Sequence, residues 1–305
     1  MANVIGIDPT VDFAFKRLLG SPEHSRVTIH FLNSILGDGP RITEVEFLNP
    51  FLGKEFDEDK LSILDIRATD EHGRRLNIEM QTSLPAGLRQ RLAYYDSLLY
   101  VEQMREGQPY HELRPAIVIC VLSVPLFPAQ ARLHTDFRLR DQTGMVLTDD
   151  LQVHTLELTK LQITRDNLAS ATPAELWAVF LRYAPEMTMD EVRNLFPEPE
   201  FAEAAGVLEM ISQTPEQLNE YAARMKLRLD DAARIQYARQ EGRLEGRQEG
   251  IQEGEQRGQL LGRIATLQEV LSLSNPTPEE LSTYDVAQLT AVCEQLRQQL
   301  RDRGQ

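Results

Sequence analysis

The chain has 305 residues, of which 42% are hydrophobic and 26% are charged, a composition ordinary for globular proteins. This composition excludes wholesale disorder, a collagen-like chain and a disulfide-framework mini-protein, and the length favours about two domains. Acidic side chains outnumber basic ones by 47 to 32, so the formal net charge is −15. That charge argues against broad electrostatic capture of nucleic acid or of an anionic membrane, but it is compatible with a local or metal-assisted nucleic-acid site.

The cysteines and the apolar segments indicate the compartment. The two cysteines, Cys120 and Cys293, lie far apart in the sequence and lack the spacing of a metal site. Such low use of cysteine is typical of a reducing compartment. The first residues lack the pattern of a secretion signal, and the longest apolar stretch, 115–127, is too short to cross a bilayer. We therefore expect a cytoplasmic protein that has no membrane partner.

Helix and strand patterns alternate over the first 165 residues. The predicted elements are a helix opening at 8–10, a helix over 24–36, strands over 42–49, 61–70 and 74–81, a helix over 88–105 and a strand over 116–124. Weaker strand candidates lie at 137–140 and 153–158. The main order is α, β, β, β, α, β, and the almost wholly apolar last strand is typical of a strand buried on both faces.

Two of these strands, joined by 71–73, are predicted to form a hairpin with a three-residue loop. Gly73 supplies the left-handed residue that such a loop needs. In this register Asp65 lies opposite Glu79, with about 5 Å between their Cβ atoms. The face that they share also carries Arg67, Asn77 and Gln81. A two-residue loop would instead place Asp65 opposite Met80.

The pair of Asp65 and Glu79 is a candidate metal site. Two carboxylates at that distance repel each other unless a cation lies between them. Carboxylates beside the amide oxygen of Gln81 suit Mg²⁺ or Mn²⁺, with Ca²⁺ as an alternative. A divalent ion there would bridge a scissile phosphate and lower the pKa of a bound water. The alternative interpretation is a solvated polar face whose acids are neutralised by Arg67.

An ordered series of sequence blocks resembles the recombination-promoting nuclease (Rpn) family, related to transposases, within the PD-(D/E)XK nuclease superfamily. The blocks are 9–20, 31–36, 60–67, 77–81, 91–96 and 107–119. The resemblance extends over roughly the first half of the chain. It implies an α/β fold with a restriction-endonuclease-like αβββαβ core, followed here by an all-helical C-terminal region. It also implies a metal-dependent DNA endonuclease, a hydrolase of phosphodiester bonds linked to recombination or mobile elements.

The resemblance also implies roles for individual residues. Asp65 and Glu79 become the acidic metal ligands, and Asp12 an outer ligand on the first helix. Gln81 stands where the superfamily usually has a lysine, so the group that activates the water is left open. Lys60 and Lys16 are candidate sources of that missing positive charge. Asp12 and Lys16 lie four residues apart, however, and equally suit a surface ion pair.

The acidic net charge means that DNA would follow a local basic strip. Its candidate members are Lys16, Arg74, Arg75, Arg89, Arg91 and the ring of Tyr95. For Arg74 and Arg75 the alternative is a solvated loop tip. For Tyr95 the alternative is packing against the sheet.

The C-terminal part is predicted to be helical throughout. We divide the chain into a nuclease-like domain (1–165), a helical region (166–238), a Gly/Glu-repeat helix or linker (239–263) and a small helical module (264–305). A glycine recurs every fourth residue from Gly242 to Gly262, and each costs about 1 kcal/mol of helix propensity against alanine. Close packing of two such helices predicts a homo-oligomer; a flexible linker or another partner are the alternatives.

Two functions therefore compete. The first is the DNA endonuclease. The second is a catalytically inactive protein of nuclease fold that acts as an oligomerisation or partner-binding module. The missing lysine favours the second function, whereas the retention of Asp65 and Glu79 favours the first.

Overall fold

The structure is a computed structural model of the chain. It describes residues 3–37, 39–48, 66–165 and 167–303. The chain forms two compact units, Met1–Asp230 and Asp231–Gln305.

In its described residues, the first unit contains six complete α-helices, the start of a seventh and six strands. The helices are α1 (Asp12–Leu19), α2 (Ser25–Leu36), α3 (Leu88–Val101), α4 (Pro173–Tyr183), α5 (Met189–Leu195) and α6 (Pro199–Gln213) among the described residues. The strands are β1 (Val45–Phe47), β2 (Ile66–Asp70), β3 (Arg75–Gln81), β4 (Ala116–Leu122), β5 (His134–Arg140) and β6 (Val146–Glu157). A further helix, α7 (Pro215–Leu271), begins in this unit. The predicted α/β fold class is confirmed, and both weaker strand candidates are strands.

The six strands form one mixed sheet in the order β1-β2-β3-β4-β6-β5. β1, β2 and β3 are antiparallel neighbours, whereas β3, β4 and β6 run parallel and β5 returns antiparallel to β6. The parallel step from β3 to β4 needs a crossover, and α3 provides it. This arrangement places β3 and β4 in the middle of the sheet.

The register of the β2–β3 hairpin is the predicted one. Arg67 pairs with Asn77 and Ala68 with Leu76, so the three-residue loop is confirmed and the two-residue alternative is wrong. Gly73 has φ of +79°, the left-handed conformation that the loop requires. The predicted pairing of Asp65 with Glu79 lies outside the described residues.

Helices cover both faces of the sheet. Leu76 and Ile78 of β3 point into the larger core, which α1, α2, α4, α5 and α6 complete. The opposite face packs against α3, where Leu92 contacts the smaller core that contains Cys120 of β4. All seven residues of β4 are buried for this reason, as its continuous apolar sequence predicts.

Helices α4 to α6, which follow residue 165, belong to the larger core. Trp177 of α4 lies fully buried at its centre, and its indole N–H donates a hydrogen bond to Nδ1 of His30 over 3.1 Å. Thr172 caps α4 through a reciprocal hydrogen-bond pair with Glu175. The larger core therefore contains residues from both sides of residue 165.

The second unit is helical. It contains the later part of α7, then α8 (Pro278–Ser282) and α9 (Val286–Arg303), which bury a small core. The members of that core are Ile264, Leu271, Leu281, Leu289, Cys293 and Leu296. Thr277 and Glu280 form a capping box at the start of α8.

The repeated glycines from Gly242 to Gly262 lie inside α7. A Cβ atom added to any of them would meet no other described atom within 4 Å, apart from the helix's own neighbouring backbone. The repeat is thus helical, and its glycine stripe is bare among the described residues. None of the described helices combines the length and apolar character that crossing a membrane requires.

Candidate active site

Glu79 is a buried carboxylate in the middle of the sheet. Its position in β3 pairs with Cys120 of β4, which places its side chain on the face covered by α3. Only 1% of the residue is exposed. A carboxylate at such a depth costs free energy unless hydrogen-bond donors or cations surround it.

Three neighbours in the part of the chain that the structure describes contribute to that compensation. Nδ2 of Asn77 donates to Oε1 of Glu79 over 3.0 Å, and Nε2 of Gln81 donates to Oε2 over 3.4 Å. The guanidinium of Arg91, on α3, lies 3.8 Å from Oε2. The predicted clustering of Asn77, Glu79 and Gln81 on one face is confirmed.

Asn77 carries an acceptor that the fold leaves open. The residue is fully buried, and its Oδ1 has no hydrogen-bond partner in the part of the chain that the structure describes. An unmet buried acceptor costs about 1–3 kcal/mol, so its retention beside Glu79 suggests a ligand. Amide and carboxylate oxygens are hard donors of the kind that Mg²⁺ prefers. These oxygens therefore fit a divalent metal.

The carboxylate of Glu79 is the one acidic contribution to this site from the described residues. Within 3–37, 39–48, 66–165 and 167–303, no three His, Cys, Asp or Glu side chains form a group able to hold a metal. The second predicted ligand, Asp65, and the candidate cation Lys60 lie outside the described residues.

A family model described as PD-(D/E)XK nuclease family transposase matches residues 9–238 of the chain. The chain belongs to this family. The match spans the whole sheet, α3 and helices α4 to α6. No curated protein and no solved structure matches the chain. Membership supports a nuclease-type function, and PD-(D/E)XK nucleases generally use divalent metal ions.

Arg91 brings positive charge to the candidate site. Its guanidinium also lies over the ring of Tyr95, 5.6 Å from the ring centroid. Its side chain is 37% exposed, so it reaches from Glu79 towards solvent. The ring below it fixes its direction.

Arg74 and Tyr95 are corrections to the predicted DNA strip. Arg74 is buried, and its guanidinium pairs with Asp70 and donates to the carbonyl of Pro40. Tyr95 is buried in the core beneath α3. Neither side chain is placed to contact DNA, because each is already packed inside the nuclease fold.

The other members of the strip differ in position. Arg75 projects from the same face of β3 as Glu79 and donates to the Thr69 hydroxyl over 2.6 Å. Arg89 is exposed at the first turn of α3. Lys16 forms an ion pair with Asp12 over 3.1 Å. Helix α1, which carries Asp12, packs on the sheet face opposite to Glu79, so the structure does not bring the two carboxylates together on one face. The role of Asp12 as a metal ligand stays a prediction.

Sequence reasoning missed a buried ion pair at the end of β6. Nζ of Lys160 lies 2.7 Å from Oε1 of Glu157, and both side chains are largely buried. Oε2 of Glu157 accepts the backbone N–H of Leu126 over 2.8 Å, and Lys160 donates to the carbonyl of Phe127. The loop after β4 is thereby fixed. Only the short spacing of the two charges signals this pair in the sequence.

Sequence reasoning also missed Asp96 of α3, although it ends one of the resembling blocks. It is 5% exposed, and burial raises its pKa from 3.8 to about 8 despite a hydrogen bond with the backbone of Gln152. Its Oδ1 has no partner in the described part of the chain. Asp96 thus joins α3 to β6 mainly as a neutral acid at neutral pH.

Proposed function

We propose that the protein is a Mg²⁺-dependent DNA endonuclease that hydrolyses phosphodiester bonds, linked to recombination or mobile elements. The observation that supports this proposal best is the buried Glu79 carboxylate beside the open Oδ1 of Asn77, on the strand where the sequence resemblance implies an acidic metal ligand. Mn²⁺ and Ca²⁺ are alternative ions with the same ligand chemistry. A cytoplasmic location, favoured by the sparse cysteines, is part of the proposal.

Glu79, Asp65 and the amide oxygen of Asn77 would hold the metal, with Asp12 as an outer ligand. When bound, a divalent ion of this kind offsets phosphate charge and lowers the pKa of a coordinated water. Gln81 is the group that orients the water, because its amide already lies 3.4 Å from Glu79 and can both donate and accept hydrogen bonds.

Arg91 supplies the positive charge that Gln81 lacks. Its guanidinium lies next to Glu79 and extends towards solvent, where a phosphate would approach. Guanidinium groups bind phosphate oxygens in pairs and stabilise negative charge as it develops. Lys60 is a second candidate for this role, in the segment before β2.

The DNA would follow a short basic path across the α3 face. Arg91 and Arg89 lie on α3, and Arg75 lies on β3 below it. Lys16 on α1 stays a further candidate contact. A path of a few cations is compatible with the net charge of −15, because local cations and the metal act over about one Debye length, roughly 8–10 Å.

Plasmid nicking tests the proposal. The wild-type protein should nick plasmid in Mg²⁺ or Mn²⁺ and not in chelator. Glu79→Gln and Asp65→Ala should each lower the rate by more than about 100-fold, since even outer-shell partners of metals contribute about 10- to 100-fold. Glu112→Gln, which changes an exposed glutamate of the same unit, should keep the wild-type rate. Nicking that survives Glu79→Gln would refute the assigned site.

We propose in addition that the protein self-associates through the glycine repeat of α7. The bare stripe from Gly242 to Gly262 supports this proposal, because glycines permit close approach of two helix backbones. Replacing Gly246, Gly250 and Gly254 by Gln should raise helix propensity and yet lower the oligomer mass. Light scattering after size exclusion gives that mass, and a monomeric wild-type protein would contradict the proposal. An inactive oligomerisation module is the less favoured alternative.

A further inference from the structure

A cavity opens on the α3 side of the sheet, beside the candidate active site. Its volume is about 310 Å³, at the small end of ligand pockets, which range from about 300 to 1,000 Å³. The lining residues are Arg89, Leu92, Ala93, Leu126, Phe127, Phe137, Val153 and Thr155. A volume of this size suits one flat ring system and little more.

Two aromatic rings and a cation form one wall of this cavity. The rings of Phe127 and Phe137 have centroids 5.2 Å apart, and the guanidinium carbon of Arg89 lies 4.7 Å from the Phe127 centroid. Phe137 is 39% exposed, unusual for a ring of this size beside a core. Its ring therefore offers area to a ligand that enters from solvent.

Thr155 lines the cavity with its hydroxyl shielded from solvent. The residue is 1% exposed, and its hydroxyl has no hydrogen-bond partner among the residues that the structure describes. A buried hydroxyl without a partner costs free energy, and a valine would fill the same space without that cost. Because this oxygen is shielded from solvent, the accessible lining of the cavity is almost wholly apolar.

Glu157 and Lys160 hold the backbone of the aromatic wall in place. Oε2 of Glu157 accepts the backbone N–H groups of Leu126 and Phe127 over 2.8 and 3.3 Å. Lys160 neutralises Glu157 and donates to the carbonyl of Phe127 over 2.9 Å. The aromatic wall is thus preorganised, which lowers the entropy lost when a ligand binds.

The strand register gives the distance from this cavity to Glu79. Glu79 pairs with Cys120, and Cys120 pairs with Thr155, so all three side chains project from one face. Neighbouring strands lie about 4.8 Å apart, and Thr155 is therefore about 10 Å from Glu79 across β4. That distance corresponds to one or two nucleotides along an extended strand.

We propose that this cavity binds an unpaired nucleobase of the DNA strand that is being cut. The inference rests on the proposed nuclease function and adds a substrate class to it: DNA with an unstacked base near the scissile phosphate. The base stacks on the exposed ring of Phe137. Arg89, whose guanidinium lies over the Phe127 ring and donates to the Leu126 carbonyl over 3.1 Å, offers positive charge to the DNA backbone. Stacking on aromatic rings accepts any base, so the preference concerns unpaired structure and not sequence.

Binding of matched oligonucleotides tests the proposal. Fluorescence anisotropy compares a duplex that carries one unpaired base with the same duplex carrying an abasic site at that position. Measurements with chelator and with Ca²⁺ separate this contact from the metal site, since none of the proposed metal ligands lines the cavity. The wild-type protein should bind the duplex with the unpaired base more tightly.

Phe137→Ala should weaken binding of the unpaired-base duplex by about 5- to 150-fold, the range that loss of one stacking contact gives. The abasic duplex should be affected little. Thr155→Val keeps the volume and removes only a shielded hydroxyl, so it should leave both affinities unchanged. The control Leu147→Ala changes an exposed residue of β6 that does not line the cavity, and it should leave both affinities unchanged.

The outcomes separate the two proposals. Equal losses on both duplexes, or no loss for Phe137→Ala, would overturn the base pocket. Metal-dependent nicking by the wild-type protein would then leave the nuclease proposal standing. DNA that is neither bound nor cut by the wild-type protein would overturn both.

Discussion

Asp96 makes the stability of the first unit depend on pH. Its pKa is raised to about 8 by burial in the folded protein, against 3.8 for an exposed aspartate. At a pH between these two pKa values, Asp96 keeps its proton in the folded chain and has lost it in the unfolded chain. The free energy of unfolding should therefore fall as pH rises, by about 1.4 kcal/mol for each pH unit.

The substitution Asp96→Asn removes this dependence. Asparagine keeps an acceptor for the backbone of Gln152 and carries no proton that titrates. From about pH 5.5 to pH 7.5 the wild-type protein should lose about 3 kcal/mol that the variant keeps. For a unit of this size that equals a difference of about 5–10 °C in Tm.

Scanning calorimetry over this pH range measures the effect. We expect the Tm of the wild-type first unit to fall relative to that of Asp96→Asn as pH rises, with the two proteins most alike near pH 5. Glu112→Gln serves as the control for a surface acid and should follow the wild-type curve. Parallel curves of Tm against pH for the wild type and Asp96→Asn would refute the reasoning, because they would mean that Asp96 has the same pKa in the folded and the unfolded protein.

Three further changes have defined outcomes. Thr155→Val should stabilise the first unit by about 1 kcal/mol in urea unfolding, because it removes a hydroxyl without a described partner; a loss of stability would contradict this. Lys160→Met should cost about 3–5 kcal/mol in the same assay, since it leaves Glu157 buried without its cation. Gly250→Ala should raise helix stability by about 1 kcal/mol at protein concentrations low enough to keep the chain monomeric, which far-UV circular dichroism detects; an unchanged melting curve of the monomer would show that the repeat is not helical in solution.

Local patterns in the sequence predicted the centre of the sheet well. One glycine at the β2–β3 turn set the register, and period-two alternation then decided which side chains share a face with Glu79. The all-apolar β4 indicated burial on both sides. These features follow from residues close together in the chain, so the sequence is enough to find them.

Features that depend on distant contacts were not predictable in this way. Alternation places Arg74 near the turn, but it does not show that Asp70 and the Pro40 carbonyl hold its guanidinium inside. The α3 pattern equally leaves the burial of Tyr95 open. The cavity beside Phe137 joins residues of α3, the loop after β4 and both strands β5 and β6, and no spacing in the sequence relates them.

The position of the single tryptophan has a practical consequence. Trp177 is fully buried in the core of the first unit and donates its indole N–H to His30. The intrinsic fluorescence of Trp177 therefore reports the loosening of that core and gives no information on residues 231–305. Far-UV dichroism, by contrast, sums the helices of both units. The same sample observed by the two optical methods thus shows whether the two halves of the chain melt together or one after the other.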